Sequence, residues 1–226
     1  MEDNGYRGKD IMITTSNKST EVAAEPTLAL SGAGGLRLFT ADEYQRLADT
    51  GVLGEDDRVE LIEGRIVRMA AKNIKHAMAT KRANRHFTRL LGDRVVVCVQ
   101  DPILLNDYSE PEPDIVLAAP PEDRYFDHHP TPKEIYLVLE IADSSLPYDR
   151  DVKCPLFAYN KIVQFCLLNL QNRELEDYRQ PSRNGYRRKQ TYTEEEVFNL
   201  VAFPDLSIKV KDLLPPVKAM AKRRKK

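Results

Sequence analysis

Two acidic residues stand in apolar, strand-like runs, where an ionised carboxylate needs a partner. Asp114 heads the run DIVLA directly after the segment PEP, whose residues Pro111 and Pro113 restrict the backbone and so aim the aspartate. Glu140 lies inside the run EIYLVLEIA. Burying a carboxylate costs several kcal/mol unless a cation, a metal or good hydrogen bonds compensate it. Both acids are therefore expected to have a positively charged neighbour.

A divalent cation is one such neighbour. If the two strands lie side by side, Asp114 and Glu140 meet at one edge of the sheet, and Mg²⁺ or Mn²⁺ would relieve their repulsion with hard oxygen ligands. Such a cation can bind a phosphate and lower the pKa of a bound water. The pattern thus predicts a metal site held by Asp114 and Glu140. A simpler explanation of Glu140 is a single ion pair with Lys or Arg, or a strand end that reaches solvent.

Two further charged residues could complete this site. Lys153 follows Glu140 in the stretch ADSSLPYDRDVKCPLFAYN, where its ammonium group could orient or help deprotonate an attacking water and stabilise developing negative charge. The alternative is an ordinary surface ion pair with Asp149, four residues earlier on the same predicted helix. Glu60, in VELIEG, would be a fourth polar group, although a strand glutamate beside a turn is common.

The elements that must position these residues alternate between strands and helices. Thr40 and Glu43 form a capping-box pattern before a short helix, and RVELIEGRIVRMA predicts a hairpin that turns at Glu63-Gly64. Residues 72–91 predict an amphipathic helix with a basic outer face, which is either solvated or contacts phosphates. DIVLA and EIYLVLEIA predict strands, the latter central because it is apolar throughout. Residues 94–100 and 102–106 predict two more strands, residues 148–160 a helix, and VQFCLLNL, ELEDYRQ and YRRKQTY the later strands. We expect one α/β (α+β) domain with a mixed β-sheet flanked by helices.

Composition places the chain among ordinary globular proteins. Of its 226 residues, 42% are hydrophobic and 31% charged, and no apolar run approaches a membrane span. Without an apolar signal-peptide core, and with three cysteines in no disulfide or zinc pattern, the chain is expected to be cytoplasmic with reduced thiols. We predict a disordered leader over 1–35, a folded domain over 36–215 and a basic tail over 216–226. The tail sequence VKAMAKRRKK holds six of the basic residues and no acid. Since the whole chain has a formal net charge of −1, the rest of it has a net charge of −7.

Three motifs in this order resemble a known family. VELIEGRIVRM, SEPEPDIVLA and LVLEIADSSLPYDRDVKCPLFAYN are similar to the Uma-two family of endonucleases, a branch of the restriction-endonuclease-like PD-(D/E)XK nuclease superfamily. The resemblance covers roughly residues 36–215 and implies a mixed sheet flanked by helices and Mg²⁺-dependent hydrolysis of DNA phosphodiester bonds. By position, Pro113-Asp114 is the PD element, Glu140 is the (D/E), and Glu60 matches the acid of the first motif.

One departure from the pattern concerns the lysine. The superfamily lysine stands two residues after the second acid, and this chain has Ala142 there. The resemblance suggests that Lys153 supplies the ammonium group from the following helix. DNA is the implied partner, and a homodimer that lines up two basic helices is consistent with many nucleases.

Two other functions are compatible with the same residues. One is an inactive relative that binds nucleic acid or a protein through the basic helix and tail. The other is a hydrolase that uses Asp114 and Glu140 as a carboxylate pair without a metal, as glycosidases do. The last is the weakest, because the chain has no Trp for a sugar-stacking surface.

Overall fold

The computed structural model describes residues 35–54 and 56–217. The chain divides into a unit that ends at Arg37 and a unit that begins at Leu38. Of the first unit only residues 35–37 are described, and they form no helix or strand. The predicted leader, apart from residue 35, and the basic residues of the tail lie outside the described residues. All the helices and strands below belong to the second unit.

A six-stranded mixed sheet forms the centre of the second unit. Its strands lie in the order β3-β4-β5-β6-β7-β8. The pair β5 and β6 is parallel and the other neighbours are antiparallel. This confirms the prediction of a mixed sheet flanked by helices. The strands are β3 (Val96–Cys98), β4 (Ile115–Ala118), β5 (Ile135–Ala142), β6 (Gln164–Asn169), β7 (Glu174–Ser182) and β8 (Gly185–Thr193).

Helices cover both faces of this sheet. On one face, α2 (Ile74–Leu91) and α5 (Val210–Leu213) pack on apolar residues such as Ile115 and Leu139. On the other, a helical segment packs on residues such as Val116 and Val138. That segment, called here the crossover helix, comprises α3 (Leu146–Tyr148), a π-helical turn (Asp149–Lys153) and α4 (Cys154–Tyr159). It connects β5 to β6, as a parallel pair requires. With both faces covered, β5 lies in the interior, as its apolar sequence predicts.

Smaller elements surround the sheet. The helix α1 (Ala41–Asp49) begins with the predicted capping box, in which Thr40 and Glu43 each accept from the other's backbone N–H. The strands β1 (Val59–Ile62) and β2 (Arg65–Arg68) form the predicted hairpin. A second antiparallel pair consists of β9 (Val197–Asn199) and β10 (Ser207–Lys209). Cys98, Cys154 and Cys166 are buried free thiols, as expected. None of the helices in the described residues combines the length and apolar character that crossing a bilayer requires.

Two predicted strands differ from the structure. The run at residues 94–100, whose sequence predicts a buried strand, pairs only over Val96–Cys98 at the edge of the sheet, where Val96 and Val97 are half-buried. The run PILLN is not a strand, although Ile103 and Leu105 are buried. The N–H groups of residues 103, 104 and 105 donate to three separate carbonyls, those of Pro111, Pro130 and Ser109. The run is apolar because its side chains are buried, but its N–H groups bond to no single neighbouring strand. The prediction of a strand over residues 102–106 is therefore wrong.

The tight turn of the hairpin depends on Gly64. Its φ is +75°, and a Cβ placed there would lie 2.5 Å from Leu38 Cβ and 3.2 Å from Phe39 O. Gly64→Ala is expected to lower the free energy of unfolding by about 2 kcal/mol or more, measured by urea denaturation. Gly51 has a similar φ of +72° but open space around it. Gly51→Ala is the matched control and should cost only about 1 kcal/mol. Equal losses in the two variants would show that the contact with Leu38 contributes nothing.

Candidate active site

The four site residues predicted from the sequence line one cleft. It has a volume of about 370 Å³ and lies between the β1–β2 hairpin, the beginning of α2 and the crossover helix. Glu60 comes from β1, Asp114 directly precedes β4, Glu140 lies in β5, and Lys153 ends the π-helical turn. Because Ile115 pairs with Leu139, the antiparallel register places Asp114 beside Glu140. The structure therefore brings the predicted residues together, while their chemical roles stay predictions.

Three hydrogen bonds fix the Asp114 carboxylate. Its Oδ2 accepts from the backbone N–H of Ile141 at 2.9 Å and lies 3.0 Å from His76 Nε2, and its Oδ1 accepts from Gln100 Nε2 at 2.9 Å. Burial alone would raise the pKa of Asp114, but these hydrogen bonds and the attraction of His76 hold that pKa below its ordinary value. Asp114 is therefore a carboxylate at neutral pH.

Lys153 joins two buried glutamates. Its Nζ lies 2.9 Å from Glu140 Oε1 and 3.1 Å from Glu60 Oε2, and each of the three side chains is at most 6% exposed. Burial by itself lowers the pKa of Lys153, but the two carboxylates raise it overall. Lys153 therefore stays an ammonium ion. It points into the cleft and does not form the surface ion pair with Asp149 that was the alternative.

Glu140 is held less firmly in its charged form. Its Oε2 accepts a long hydrogen bond of 3.4 Å from the backbone N–H of Asp114. Burial raises the pKa of Glu140 well above its ordinary value, and nearby Asp114 and Asp149 add to this, while Lys153 offsets only part of it. Any added cation near Glu140 would favour its ionised form.

The departure at Ala142 has a geometric explanation. Successive residues of a strand face opposite sides, so Ala142 lies on the same side of β5 as Glu140, two residues earlier. A lysine at position 142 would project from that side. The crossover helix covers that side, and Lys153 reaches Glu140 from it.

A second ion pair, half-buried on the arginine side, anchors the crossover helix. The Nε of Arg150 donates to Glu176 Oε2 at 3.1 Å, and its Nη2 also contacts Glu176. Across the sheet, Glu140 pairs with Leu167 and Leu167 with Glu176, so both glutamates stand on the same row. Arg150 and Lys153, three residues apart in the π-helical turn, thus each meet a glutamate of the sheet. This arrangement fixes the register of the crossover helix and hence the position of Lys153.

Comparison with known proteins identifies the family. The family model Uma2, described as "Putative restriction endonuclease", matches residues 41–211, which is most of the chain. The chain belongs to the Uma2 family.

A solved structure similar to this Uma2 chain is described as "a putative nuclease belonging to DUF820" from Anabaena variabilis ATCC 29413. It is 16% identical, with a TM-score of 0.58, and the match covers 77% of this chain and 97% of that one. At this identity the likeness shows a shared fold. The comparison with curated proteins gave no match.

The donor set of this Uma2 chain suits a small, hard divalent cation. Within the described ranges, no three His, Cys, Asp or Glu side chains are grouped as a ready ligand set. Mg²⁺ does not need such a set, because it usually binds through one or two carboxylates and keeps several waters. Each Glu140 oxygen and Asp114 Oδ1 accept one hydrogen bond from the protein, so both carboxylates retain acceptor capacity. Asp114 and Glu140 fit as the protein ligands of Mg²⁺ or Mn²⁺.

Sequence reasoning missed the residues that hold the predicted ones in place. His76 contacts Asp114 across 38 positions of the chain. Its inward-facing position near the beginning of α2 was the available signal. Gln100 has a φ of +59°, unusual for a residue with a side chain, and a sequence carries no sign of this. Tyr148, whose hydroxyl donates to Glu60 Oε1 at 3.4 Å, likewise became visible only in the fold.

Proposed function

We propose that this Uma2 protein is a metal-dependent endonuclease that hydrolyses DNA phosphodiester bonds. The observation that carries the proposal is the pair of carboxylates, Asp114 and Glu140, side by side in an open cleft with the ammonium group of Lys153 against Glu140. The family description and the fold of the Anabaena protein support a nuclease. Mg²⁺ or Mn²⁺ and DNA are the proposed cofactor and substrate.

Asp114 and Glu140 would hold the cation. When bound, Mg²⁺ supplies a Lewis acid for the phosphate and lowers the pKa of a coordinated water. Asp114 enters this role already ionised, because His76, Gln100 and the Ile141 N–H stabilise its carboxylate. Those three donors also fix its orientation.

Lys153 acts as a fixed positive charge. Because its pKa is raised, it cannot serve as the base that takes a proton from water at neutral pH. Its ammonium group instead donates hydrogen bonds and stabilises negative charge that develops on the phosphate oxygens. Glu60 accepts from the same ammonium group and so holds it beside Glu140. The raised pKa of Lys153 supports a role in charge stabilisation rather than in proton abstraction.

Plasmid cleavage tests this proposal. Purified protein should convert supercoiled plasmid to nicked and linear forms with Mg²⁺ or Mn²⁺, and EDTA should stop the conversion. Asp114→Ala, prepared in parallel, measures contaminating nuclease. Wild-type protein that never exceeds the Asp114→Ala background on several DNA substrates would refute the enzyme and leave a binding module. Cleavage that persists in EDTA would point to a carboxylate pair that works without a metal.

A further inference from the structure

The outer face of α2 carries an unusual concentration of positive charge. In 18 residues this helix has five Lys or Arg and no Asp or Glu. Four of the five lie along one side of the helix, at positions 75, 82, 85 and 89, and are called here the α2 track. Positions 75, 82 and 89 are seven residues apart, which is close to two full turns. The track therefore runs nearly straight along the helix over about 20 Å.

The side chains of the α2 track form no ion pair in the described part of the chain, although Asp212 lies near three of them. Lys153, Arg150 and Arg179, in contrast, all have ion-pair partners. The opposite side of α2 carries the buried Ala83 and Phe87, which pack on the sheet. Lys75, Arg85 and Arg89 are exposed to solvent, while Arg82 is half-buried and its Nη2 donates to the backbone carbonyl of Lys211.

The C-terminal half of the track forms a shallow pocket. Arg82, Arg85, His86 and Arg89 line it together with Leu90 and Asp212, and its volume is about 370 Å³. The Nε atoms of two of these side chains, Arg82 Nε and His86 Nε2, are shielded from solvent and have no hydrogen-bond partner in the described part of the chain. Shielded nitrogens without a partner are costly. An anionic oxygen in the pocket would satisfy Arg82 Nε–H and face three guanidinium groups, whose attraction outweighs the repulsion of the single Asp212 carboxylate.

The track begins at the candidate active site. Lys75 precedes His76, whose ring contacts Asp114 in the cleft, so α2 runs from the site to the arginine pocket. A rise of about 20 Å equals about six base pairs of duplex DNA, at 3.4 Å per phosphate of each strand. One helix therefore connects the proposed point of cleavage with a row of cations that matches a phosphate backbone.

We infer that the α2 track binds the phosphate backbone of duplex DNA, and that the pocket between Arg82 and Arg89 holds one phosphate group of that duplex. This inference rests on the proposed function. Contacts to phosphates carry no base information, so the track positions DNA for the cleft independently of sequence. It also supplies the local attraction that the net charge of −1 does not.

The salt dependence of binding tests the track without any need for cleavage. Labelled duplex DNA is titrated with full-length protein in Ca²⁺ or EDTA at several NaCl concentrations, by fluorescence anisotropy. The test variant carries Arg85→Gln and Arg89→Gln, two exposed positions at which glutamine keeps the helix. The control carries Arg187→Gln and Arg188→Gln, two exposed arginines of β8, and has the same net charge.

The logarithm of the association constant K for DNA falls linearly with log [NaCl]. Loss of two phosphate contacts should make this slope less steep by about 1.8. Between 50 and 200 mM NaCl, wild type and the β8 control should then lose about tenfold more affinity than the α2 variant. Equal slopes in all three proteins, or equal reductions in both variants, would overturn the inference. The inference would also be overturned if the α2 variant lost binding of inorganic phosphate while the salt dependence of its DNA binding stayed the same. The pocket would then be a site for small anions.

The remaining outcomes separate this inference from the proposed function. Cleavage by wild type with an unaltered slope in the α2 variant refutes the track alone. If wild-type protein never cleaves DNA but the α2 variant has a reduced slope, the track is supported and the proposed enzyme is refuted. A change in sedimentation in the α2 variant, with its DNA slope unchanged, would show that this face joins two copies of the chain and would overturn the inference.

Discussion

Replacing Lys153 with methionine is expected to lower the free energy of unfolding by about 3–5 kcal/mol at neutral pH. Methionine keeps most of the volume of the side chain but leaves Glu60 and Glu140 buried without the cation that lies 3.1 and 2.9 Å from them. Urea denaturation measures the loss. Lys81→Met, at an exposed position on α2, is the control and should change stability by less than about 0.5 kcal/mol.

The loss in Lys153→Met should depend on pH in a defined direction. The pKa of Glu140 is raised in the folded protein by burial, and removal of Lys153 raises it further. A carboxyl group whose pKa is raised in the folded protein binds its proton more tightly in the folded than in the unfolded state. Its contribution to stability is therefore present at low pH and is lost as pH rises through the folded pKa. The variant should therefore approach wild type as pH falls from 8 toward 5. A loss that is constant over this range would mean that Glu140 is not the group left unpaired.

Replacing Glu140 with glutamine is expected to have the opposite pattern, with a large effect on cleavage and a small one on stability. The amide keeps the shape of the side chain and removes a charge that burial disfavours, while Lys153 keeps Glu60 as its partner. Loss of one of two metal ligands should remove several kcal/mol of transition-state stabilisation, which corresponds to a decrease in rate of about 10³-fold or more. Plasmid cleavage measures the rate, and calorimetry measures Mg²⁺ binding.

The control for this variant is Glu134→Gln, which neutralises a carboxylate directly before the opposite end of β5. Glu134 accepts from Thr131 and lies outside the cleft, so cleavage and metal binding should stay at the wild-type level. If Mg²⁺ binding and cleavage both survive Glu140→Gln, the metal site has been placed at the wrong residues.

The two predictions follow from one electrostatic arrangement. Asp114 gains enough hydrogen bonds to stay ionised, whereas Glu140 has a raised pKa despite its ion pair with Lys153. Asp114 thus stays charged through its hydrogen bonds, whereas the charged form of Glu140 depends on Lys153. A divalent cation in the cleft would favour the charged form of both carboxylates.

Several features of this protein could be read from short stretches of its sequence, because they depend on local chemistry. The capping box at Thr40 and Glu43 involves residues three apart, and the hairpin turn needs a glycine where φ is positive. The apolar run of β5 predicted a central strand with a buried acid, because an uninterrupted apolar sequence requires cover on both faces. PEPD likewise indicated an aimed aspartate before β4.

Only the tertiary structure decided which groups these acids meet. Lys153 could have paired with Asp149 on its own helix, and the crossover helix instead directs it to Glu140 and Glu60. The contact of His76 with Asp114 joins positions 38 apart. Such contacts depend on how whole elements pack, so local patterns do not contain them. The sequence alone therefore determined which residues needed partners, and the packing of α2 and the crossover helix on the sheet determined which partners they have.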